Sequence, residues 1–491
     1  MWIPAVFAVY VVFLSIAVVN HEPWFDEAQA WLLARDASPF SLLSEYMRYE
    51  GSPALWHLVL MLPAKLHLPY FSLNLTAGLI SAVSVYIFLH HSPFPPVVKV
   101  LYPFSFFAFY QYAVVARSYV LIPLLLFLTA MAYRNKSSHP YVFVFLLILL
   151  SNVSLHGAII AIGIMGVHAL DTLRKWSTLS STSRIKHVYS VIAFGVMMLL
   201  LFLQLKPPAD IITVAAFSKD LSHFFSGGLS IIYASISLNT VLNIKSDNMF
   251  FIFSKLLSRA AFFSSLLWFG FRKRLMIFLT PLIGLCLLFT MIYANAWHQG
   301  TVFYLWLFAL WLSFEKEPKE ALPPQKIMKG VMTSALVLVL AVQCYWAYSS
   351  FRFDYRYSYS ASREAAKYIK ENRLEGKRIF MSGFHTISIL PYFSHNLFCN
   401  YNNGQSPCFW LWSGKNNVYS ERYLDVGKYN PDIVILGIKN YSKEIATSQN
   451  TWVPEIPGYR FVRLFNGNLF WKDQPFEKDS FAFYERISKK Q

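Results

Sequence analysis

Long apolar segments separated by short polar connections fill the first 349 residues of the chain. A membrane-spanning helix needs about 20 mostly apolar residues. The segment 53–66 is also apolar, but it is short and contains two prolines, so we interpret it as a helix that lies on the membrane surface or re-enters it. The pattern predicts a multi-pass α-helical membrane protein with about eleven transmembrane helices plus juxtamembrane helices. The predicted spans are 3–19, 71–90, 96–114, 118–133, 140–155, 157–173, 187–205, 250–269, 275–294, 300–314 and 328–348.

The pattern changes after residue 349. Residues 362–372 have the periodicity of an amphipathic helix that starts at a serine cap, and a strand is expected at 377–381. The run 431–437 is continuously apolar, as in a buried strand. Asn466-Gly467 between two further strands favours a β-hairpin. We therefore expect two domains, a transmembrane domain at 1–349 and a soluble α/β domain at 350–491.

Charge indicates how the chain lies across the membrane. The chain has 491 residues, is 56% hydrophobic and only 14% charged, and its formal net charge is +17. The basic residues of the first domain cluster in the short connections, as expected for cytoplasmic loops, so nucleic acid is not an expected partner. This arrangement predicts a cytoplasmic N-terminus in a cell inner or plasma membrane. It places loop 20–70, loop 206–249 and the C-terminal domain on the extracytoplasmic side.

The first of these loops is unusually acidic. Asp26 and Glu27 open a helix-like run, where the positive end of the helix dipole favours ionised carboxylates. A carboxylate there could accept a proton from a hydroxyl or ligate a cation. An acidic pair at a helix start is also typical of a helix end that simply faces water.

Other polar residues collect at the same predicted membrane face, where charge next to lipid is unfavourable unless it is paired or used. Arg117 could grip a phosphate or pair with a carboxylate, or it could extend to the lipid headgroups. Each histidine taken alone is better explained as a satisfied interfacial residue, and only the shared membrane face favours a site. The candidate substrate-binding residues are Glu50, His57, Arg117, His156 and His298.

Four motifs together resemble the GT-C superfamily of integral-membrane glycosyltransferases. They are the Asp-Glu pair after the first span, YEGSPALW at 49–56, ARSY at 116–119 and His-Gly at 156–157. The closest likeness is to the protein O-mannosyltransferase and aminoarabinose-transferase group. The resemblance implies an inverting transfer of a sugar from a polyprenyl-phosphate donor to a hydroxyl on a glycan, lipid or protein acceptor, next to membrane lipids.

The resemblance also implies roles for individual residues. Asp26 would be the base, Glu27 a helper or a metal contact, and Glu50 part of the second motif of the family. The chain departs from the family at Ser52, which stands where a proline is usual, and at Asn74, which stands where an arginine is usual. Phosphate binding would then depend on Arg117, His57 or another residue.

Several alternatives stay open. No Asp-x-Asp triplet is present, so no obligatory cofactor is expected, although a divalent metal at Asp26 and Glu27 is compatible with the sequence. A transporter or flippase is the alternative function; it would favour ionisable residues near mid-membrane and broken helices in matching halves. An assembly protein is a third. Cys399 and Cys408 could form a disulfide or stay free, and loop 206–249 could roof the site.

Overall fold

The helix Gln299–Phe314 is buried along its whole length within the helical domain. It is hydrophobic on every side, as a helix enclosed by other helices must be. The computed structural model describes residues 2–212, 229–237, 249–292, 295–315, 323–414, 426–439 and 454–487. The longer helices, in chain order, are α1 Trp2–Asn20, α2 Phe25–Asp36, α3 Leu55–Lys65, α4 Ser72–His91, α5 Leu121–Tyr133, α6 Pro140–Ser151, α7 Leu155–Arg174, α8 Ser181–Leu205, α9 Leu229–Ser237, α10 Met249–Phe271, α11 Leu275–Met291, α12 Gln299–Phe314, α13 Pro323–Arg356 and α14 Ser362–Glu371.

The helical part has the character of a membrane protein, as the sequence predicts. Within the described ranges, six helices are long and apolar enough to cross a membrane: α1, α4, α7, α8, α10 and α13. Helices α5, α6 and α11 are apolar but shorter. Helix α3 is also apolar and short, and it contains Pro63; that it does not span the membrane stays a prediction.

The predicted span 96–114 is not one continuous helix. It consists of a short α-helix Pro96–Leu101, a 3-10 turn Tyr102–Phe104 and a π-helical segment Phe106–Gln111. Pro103 has no N–H to give to a helix, and its ring clashes with the carbonyl four residues earlier, so the helix cannot continue. Ser105 then takes an extended conformation. After the break the chain reaches the start of α2, where the N–H of Ala116 donates to the Glu27 carboxylate at 2.6 Å.

Two glycines allow α7 and α11 to approach each other closely. A Cβ atom at Gly163 would lie 2.7 Å from Pro281, and one at Gly284 would lie 2.6 Å from the Cγ2 of Ile159. Small residues at such crossings are the usual means of close helix contact in membranes. The N-terminus of α7 is capped by Ser154, whose Oγ accepts the N–H of Gly157 at 3.1 Å.

The C-terminal part contains the expected small α/β fold. Helix α14 is followed by strands β1 Ile379–Ser382, β2 Ile433–Ile438, β3 Tyr459–Phe465, β4 Asn468–Trp471, β5 Gln474–Lys478 and β6 Ser480–Arg486. One sheet has the order β1-β2-β6-β3, with β1 and β2 parallel and the other pairs antiparallel. Cys399 and Cys408 are free thiols. Helix α13 runs without a break to Arg356, so the change in composition at 349 falls inside a helix.

The prediction of a β-hairpin at Asn466-Gly467 is wrong. Strands β3 and β4 both form, but β3 pairs with β6 and β4 pairs with β5 in a separate two-stranded sheet. The glycine serves a close approach of two backbones instead, because a Cβ at Gly467 would lie 2.4 Å from the carbonyl oxygen of Asp479. Its own carbonyl accepts the N–H of Asp479 at 3.0 Å.

The first loop and the C-terminal domain meet at one end of the helical domain, which we call the domain end. The amide of Gln29 makes two hydrogen bonds to the backbone of Trp410, both of 2.7 Å. The Asp36 carboxylate accepts the N–H of Cys408 at 2.7 Å, and Arg35 donates to the carbonyl of Phe393 at 2.8 Å. The acidic loop and the C-terminal domain therefore lie at the same end of the helical domain. That this end is extracytoplasmic stays a prediction from the basic loops.

Candidate functional site

A cavity of about 600 Å³ opens at the domain end. Its wall is built from the start of α2, the segment before α3, the turn before α5, the start of α7 and the turn before α12, with Trp412 from the C-terminal domain. Most of the residues that the sequence singles out line this cavity. They are Asp26, Glu50, His57, Arg117, His156 and His298. Glu27 is the one member of the predicted set that does not line it.

Asp26 and Arg117 form an ion pair across the cavity wall. An Arg117 Nη2 lies 2.8 Å from Asp26 Oδ2. The guanidinium also lies over three aromatic rings, 5.8 Å from that of Trp24, 5.4 Å from that of Tyr119 and 5.3 Å from that of Trp297. Burial opposes its charge, but the nearby groups, led by the Asp26 carboxylate, together outweigh burial and raise the pKa of Arg117. The cavity thus contains a fixed positive charge beside an accessible carboxylate.

Glu27 points the other way, into the protein. Its Oε1 accepts the N–H of Ala116 at 2.6 Å, and its Oε2 accepts the N–H of Trp24 at 3.1 Å. Neighbouring helical residues point about 100° apart, so a cavity-facing Asp26 requires Glu27 to face elsewhere. Glu27 ties the start of α2 to the residue before Arg117. These bonds fix the backbone on either side of the ion pair, and a role of Glu27 as a helper or metal contact stays a prediction.

A buried histidine completes this inner network. His21 lies between two carboxylates, with Nε2 at 3.3 Å from Glu27 and Nδ1 at 2.7 Å from Asp354. The Tyr110 hydroxyl donates to the same Asp354 oxygen at 3.1 Å. Burial acts against protonation, but Asp354 and Glu27 outweigh it and raise the pKa of His21 to about 10. An imidazolium therefore links α1, α2 and α13 beneath the cavity.

Glu50 provides a second carboxyl group in the cavity. The amide of Gln29 donates to its Oε1 at 2.8 Å, so the amide that binds Trp410 also orients Glu50. Burial raises the pKa of Glu50 to about 7, with the hydrogen bond from Gln29 acting against the shift and the charge of Asp26 adding to it. A carboxyl group with this pKa can take up or release a proton near neutral pH.

The cavity histidines are neutral at neutral pH. Burial lowers the pKa of His57 to about 4. Burial, then His156 and Arg117, hold the pKa of His298 well below its usual range. The rings of His156 and His298 lie together, with centroids 4.2 Å apart. Among the described lining residues, positive charge therefore comes from Arg117 and from Arg48, which the sequence interpretation did not single out.

The rim of the cavity joins three distant parts of the chain at Asp210. Its carboxylate accepts the hydroxyl of Tyr49 at 2.9 Å and that of Ser413 at 2.5 Å. Pro207 and Ile211 line the cavity beside Trp412. Much of the predicted roof, loop 206–249, lies outside the described residues, including Lys219, His223 and Lys245. Helix α9 within it packs inside the bundle, where the carbonyl of Ile236 accepts the side-chain amide of Gln343 at 3.2 Å.

Within the ranges that the structure describes, no group of three or more His, Cys, Asp and Glu side chains is arranged to hold a metal ion. Asp26 and Glu27 do not face a common point, and Arg117 supplies the positive charge beside Asp26. A comparison of the chain with models of known families and with curated proteins finds no match. The function has to be argued from the chemistry of the cavity.

Proposed function

We propose that the chain is an inverting glycosyltransferase that moves a sugar from a polyprenyl-phosphate donor to a hydroxyl acceptor on the extracytoplasmic side of the membrane. The observation that carries this proposal is the Asp26–Arg117 ion pair, which faces a cavity of about 600 Å³ at the end of an apolar helix bundle. A cavity of this size is typical of small-molecule sites. A donor with a polyprenyl chain in the bilayer and a sugar phosphate at its surface suits that position.

Each side chain has a defined task in this reaction. Asp26 accepts the proton of the acceptor hydroxyl while the hydroxyl oxygen forms a bond to the anomeric carbon. The bond from that carbon to the phosphate oxygen breaks, and its electron pair stays on the phosphate. Attack from the opposite face inverts the anomeric centre.

Arg117 stabilises the charge that the phosphate gains. As Asp26 takes up the proton it loses its negative charge, and the guanidinium is then held less strongly by its partner. Its remaining N–H groups can bind the phosphate in the fork geometry that arginine offers. Glu50, with its pKa of about 7, can pass the proton on to water from the cavity. As the reaction proceeds, the Arg117 guanidinium thus interacts less with Asp26 and more with the leaving phosphate.

One observation favours the alternative, a transporter or flippase for a lipid-linked or polar substrate. The chain between Pro96 and Gln111 changes from α to 3-10 to π-helical geometry, and broken helices are a feature of transporters. None of the described residues that line the cavity comes from this segment, and the Tyr110 hydroxyl donates to Asp354 instead. A transporter would move the substrate without cleaving a covalent bond, so the two functions differ in their products.

The test uses purified protein in liposomes with a polyprenyl-phosphate donor that is radiolabelled on the sugar. A glycosyltransferase releases unglycosylated polyprenyl phosphate and transfers the label to an added acceptor mixture. A transporter moves the label across the bilayer with the glycosyl-phosphate bond intact. Arg117→Gln should lower the rate strongly, whereas Glu45→Gln, at an exposed position of the first loop, should not. Intact donor on both sides of the bilayer, with no free polyprenyl phosphate, would refute the proposal.

A further inference from the structure

A second cavity, of about 350 Å³, opens at the domain end and shares no lining residue with the first. It lies where the end of α1 and the start of α4 meet the C-terminal domain. Its polar lining residues are Tyr70, Asn74, Arg363 and Tyr392, and Val19 and Phe71 line it on the apolar side. None of these residues has a part in the reaction proposed above, so the cavity needs its own explanation.

The polar atoms of two buried side chains in this cavity have no hydrogen-bond partner in the described part of the chain. Asn74 is only 1% exposed, and neither its amide nitrogen nor its amide oxygen makes a hydrogen bond there. The hydroxyl of Tyr70, 7% exposed, is in the same situation. A buried polar group without a partner destabilises a protein by about 1–3 kcal/mol. Polar groups that bear this penalty beside a shared cavity indicate a ligand that satisfies them.

The cavity is positively charged and rich in donors. Arg363 uses Nη2 to donate to the carbonyl of His21 at 2.8 Å, and its backbone N–H donates to Glu22. Burial raises the pKa of Glu22 to about 8 against the opposing effect of Arg363, so this neighbour is largely uncharged at neutral pH. Helix α4 begins at Ser72 and turns the positive end of its dipole to the same place. An anion with several oxygen acceptors fits these groups.

The surroundings show where such an anion would come from. Below the cavity, α1 and α4 present exposed apolar side chains at Val12, Ile16, Leu75 and Leu79. Both helices are candidate membrane spans, so these faces meet lipid chains. We propose that this cavity binds the phosphate group of an anionic membrane glycerophospholipid, with its acyl chains along α1 and α4 and its phosphate between Arg363, Asn74 and Tyr70. The lipid thereby joins the helical domain to the C-terminal domain.

The experiment measures thermal unfolding of purified, delipidated protein in a non-ionic detergent. The three additives are dioleoylphosphatidylglycerol, dioleoylglycerol, which lacks the phosphate, and inorganic phosphate. We expect saturable stabilisation by phosphatidylglycerol alone. Tyr70→Phe, Asn74→Leu and Arg363→Gln should each need at least about tenfold more lipid for the same stabilisation, because each removes a hydrogen bond to an anion. Arg373→Gln, at an exposed arginine of the same domain, is the matched control and should respond as the wild type does.

Folding of the variants does not confuse the result. The polar atoms removed by Tyr70→Phe and Asn74→Leu have no partner in the described chain, so the lipid-free variants should unfold at the wild-type temperature or above. An equal response to phosphatidylglycerol in the three cavity variants and the control would overturn the proposal, because the lipid would then stabilise the protein only by non-specific solvation of its apolar surface. Equal stabilisation by dioleoylglycerol would overturn the role of the phosphate. Equal stabilisation by inorganic phosphate through the same residues would overturn the lipid assignment.

Discussion

Glu27→Gln tests whether the residue next to the proposed base acts in chemistry or in structure. The substitution keeps the shape of the side chain and removes its charge. Three contacts depend on that charge: the N–H groups of Trp24 and Ala116 donate to it, and the His21 imidazolium lies 3.3 Å from it. A glutamine has one acceptor oxygen, so its NH2 group would have to face a donor. We expect a clear loss of stability.

The size of the loss follows from these contacts. A hydrogen bond to a charged group contributes about 1.5–3 kcal/mol, and breaking a buried charge pair by removal of one partner typically destabilises by about 3–5 kcal/mol. These effects overlap, because the same carboxylate makes all three contacts, so they are not summed. Asp354 stays in place and continues to balance His21. We therefore expect a loss in the free energy of unfolding of about 3–5 kcal/mol.

The assay is thermal unfolding in detergent, followed by tryptophan fluorescence, with Glu45→Gln as the control. Glu45 lies in the same loop and is exposed, so its substitution should leave the apparent melting temperature unchanged. Glu27→Gln should melt several degrees lower, and the fraction that stays folded at low temperature should retain donor binding. If Glu27→Gln melts with the control and has lost all transfer activity, Glu27 acts in catalysis and its structural role is refuted.

Three further predictions follow from the same structure. The pKa of His21 is raised to about 10, so the stabilisation from its charge is complete below about pH 6.5 and is lost as the pH rises through 10. His21→Gln should flatten the fall in melting temperature between these pH values, and an unchanged fall would contradict the network. The transfer rate should rise through pH 7 with ionisation of Glu50, and Glu50→Gln should lack this step; a variant that keeps the step would assign it to another group. Cysteines placed at Ser38 and Lys367, both exposed, should react with an impermeant reagent in intact cells, whereas labelling only after permeabilisation would reverse the predicted topology.

Much of the architecture could be predicted from local patterns. Apolar runs gave the positions of the long helices, and the amphipathic and continuous apolar patterns of the C-terminal part gave α14 and β2, because these patterns depend on neighbours in sequence. The predicted serine cap of α14 is wrong, because Ser362 is the first helical residue and the N-cap is Ala361, which makes no side-chain cap hydrogen bond. The sequence analysis grouped Asp26 with Arg117 because both lie at helix ends that are predicted to face the same side of the membrane. This reasoning says only which side of the membrane a residue is on. It cannot give a distance, so the ion pair of 2.8 Å is a result of the structure.

The remaining features depend on contacts that local pattern cannot reveal. His21 and Asp354 are 333 residues apart, and Asp354 lies beyond the last predicted span. Gln29 and Trp412 both line the cavity because the C-terminal domain packs on α2, through the hydrogen bonds between Gln29 and Trp410. Asn466-Gly467 has the composition of a tight turn, but tertiary contact with Asp479 decides its geometry. The deciding partner comes from a different helix or domain in the first two cases, and from the connection between β5 and β6 in the third.

The most direct test of the account is the rate of sugar transfer by purified Asp26→Asn in a single turnover. The variant keeps the size of the side chain and removes its basicity, and loss of a general base typically lowers a rate by about a hundredfold to ten-thousandfold. We predict a loss in that range, with binding of the polyprenyl-phosphate donor retained because Arg117 keeps its place among the rings of Trp24, Tyr119 and Trp297. Transfer at a near wild-type rate by folded, donor-bound Asp26→Asn would contradict the account.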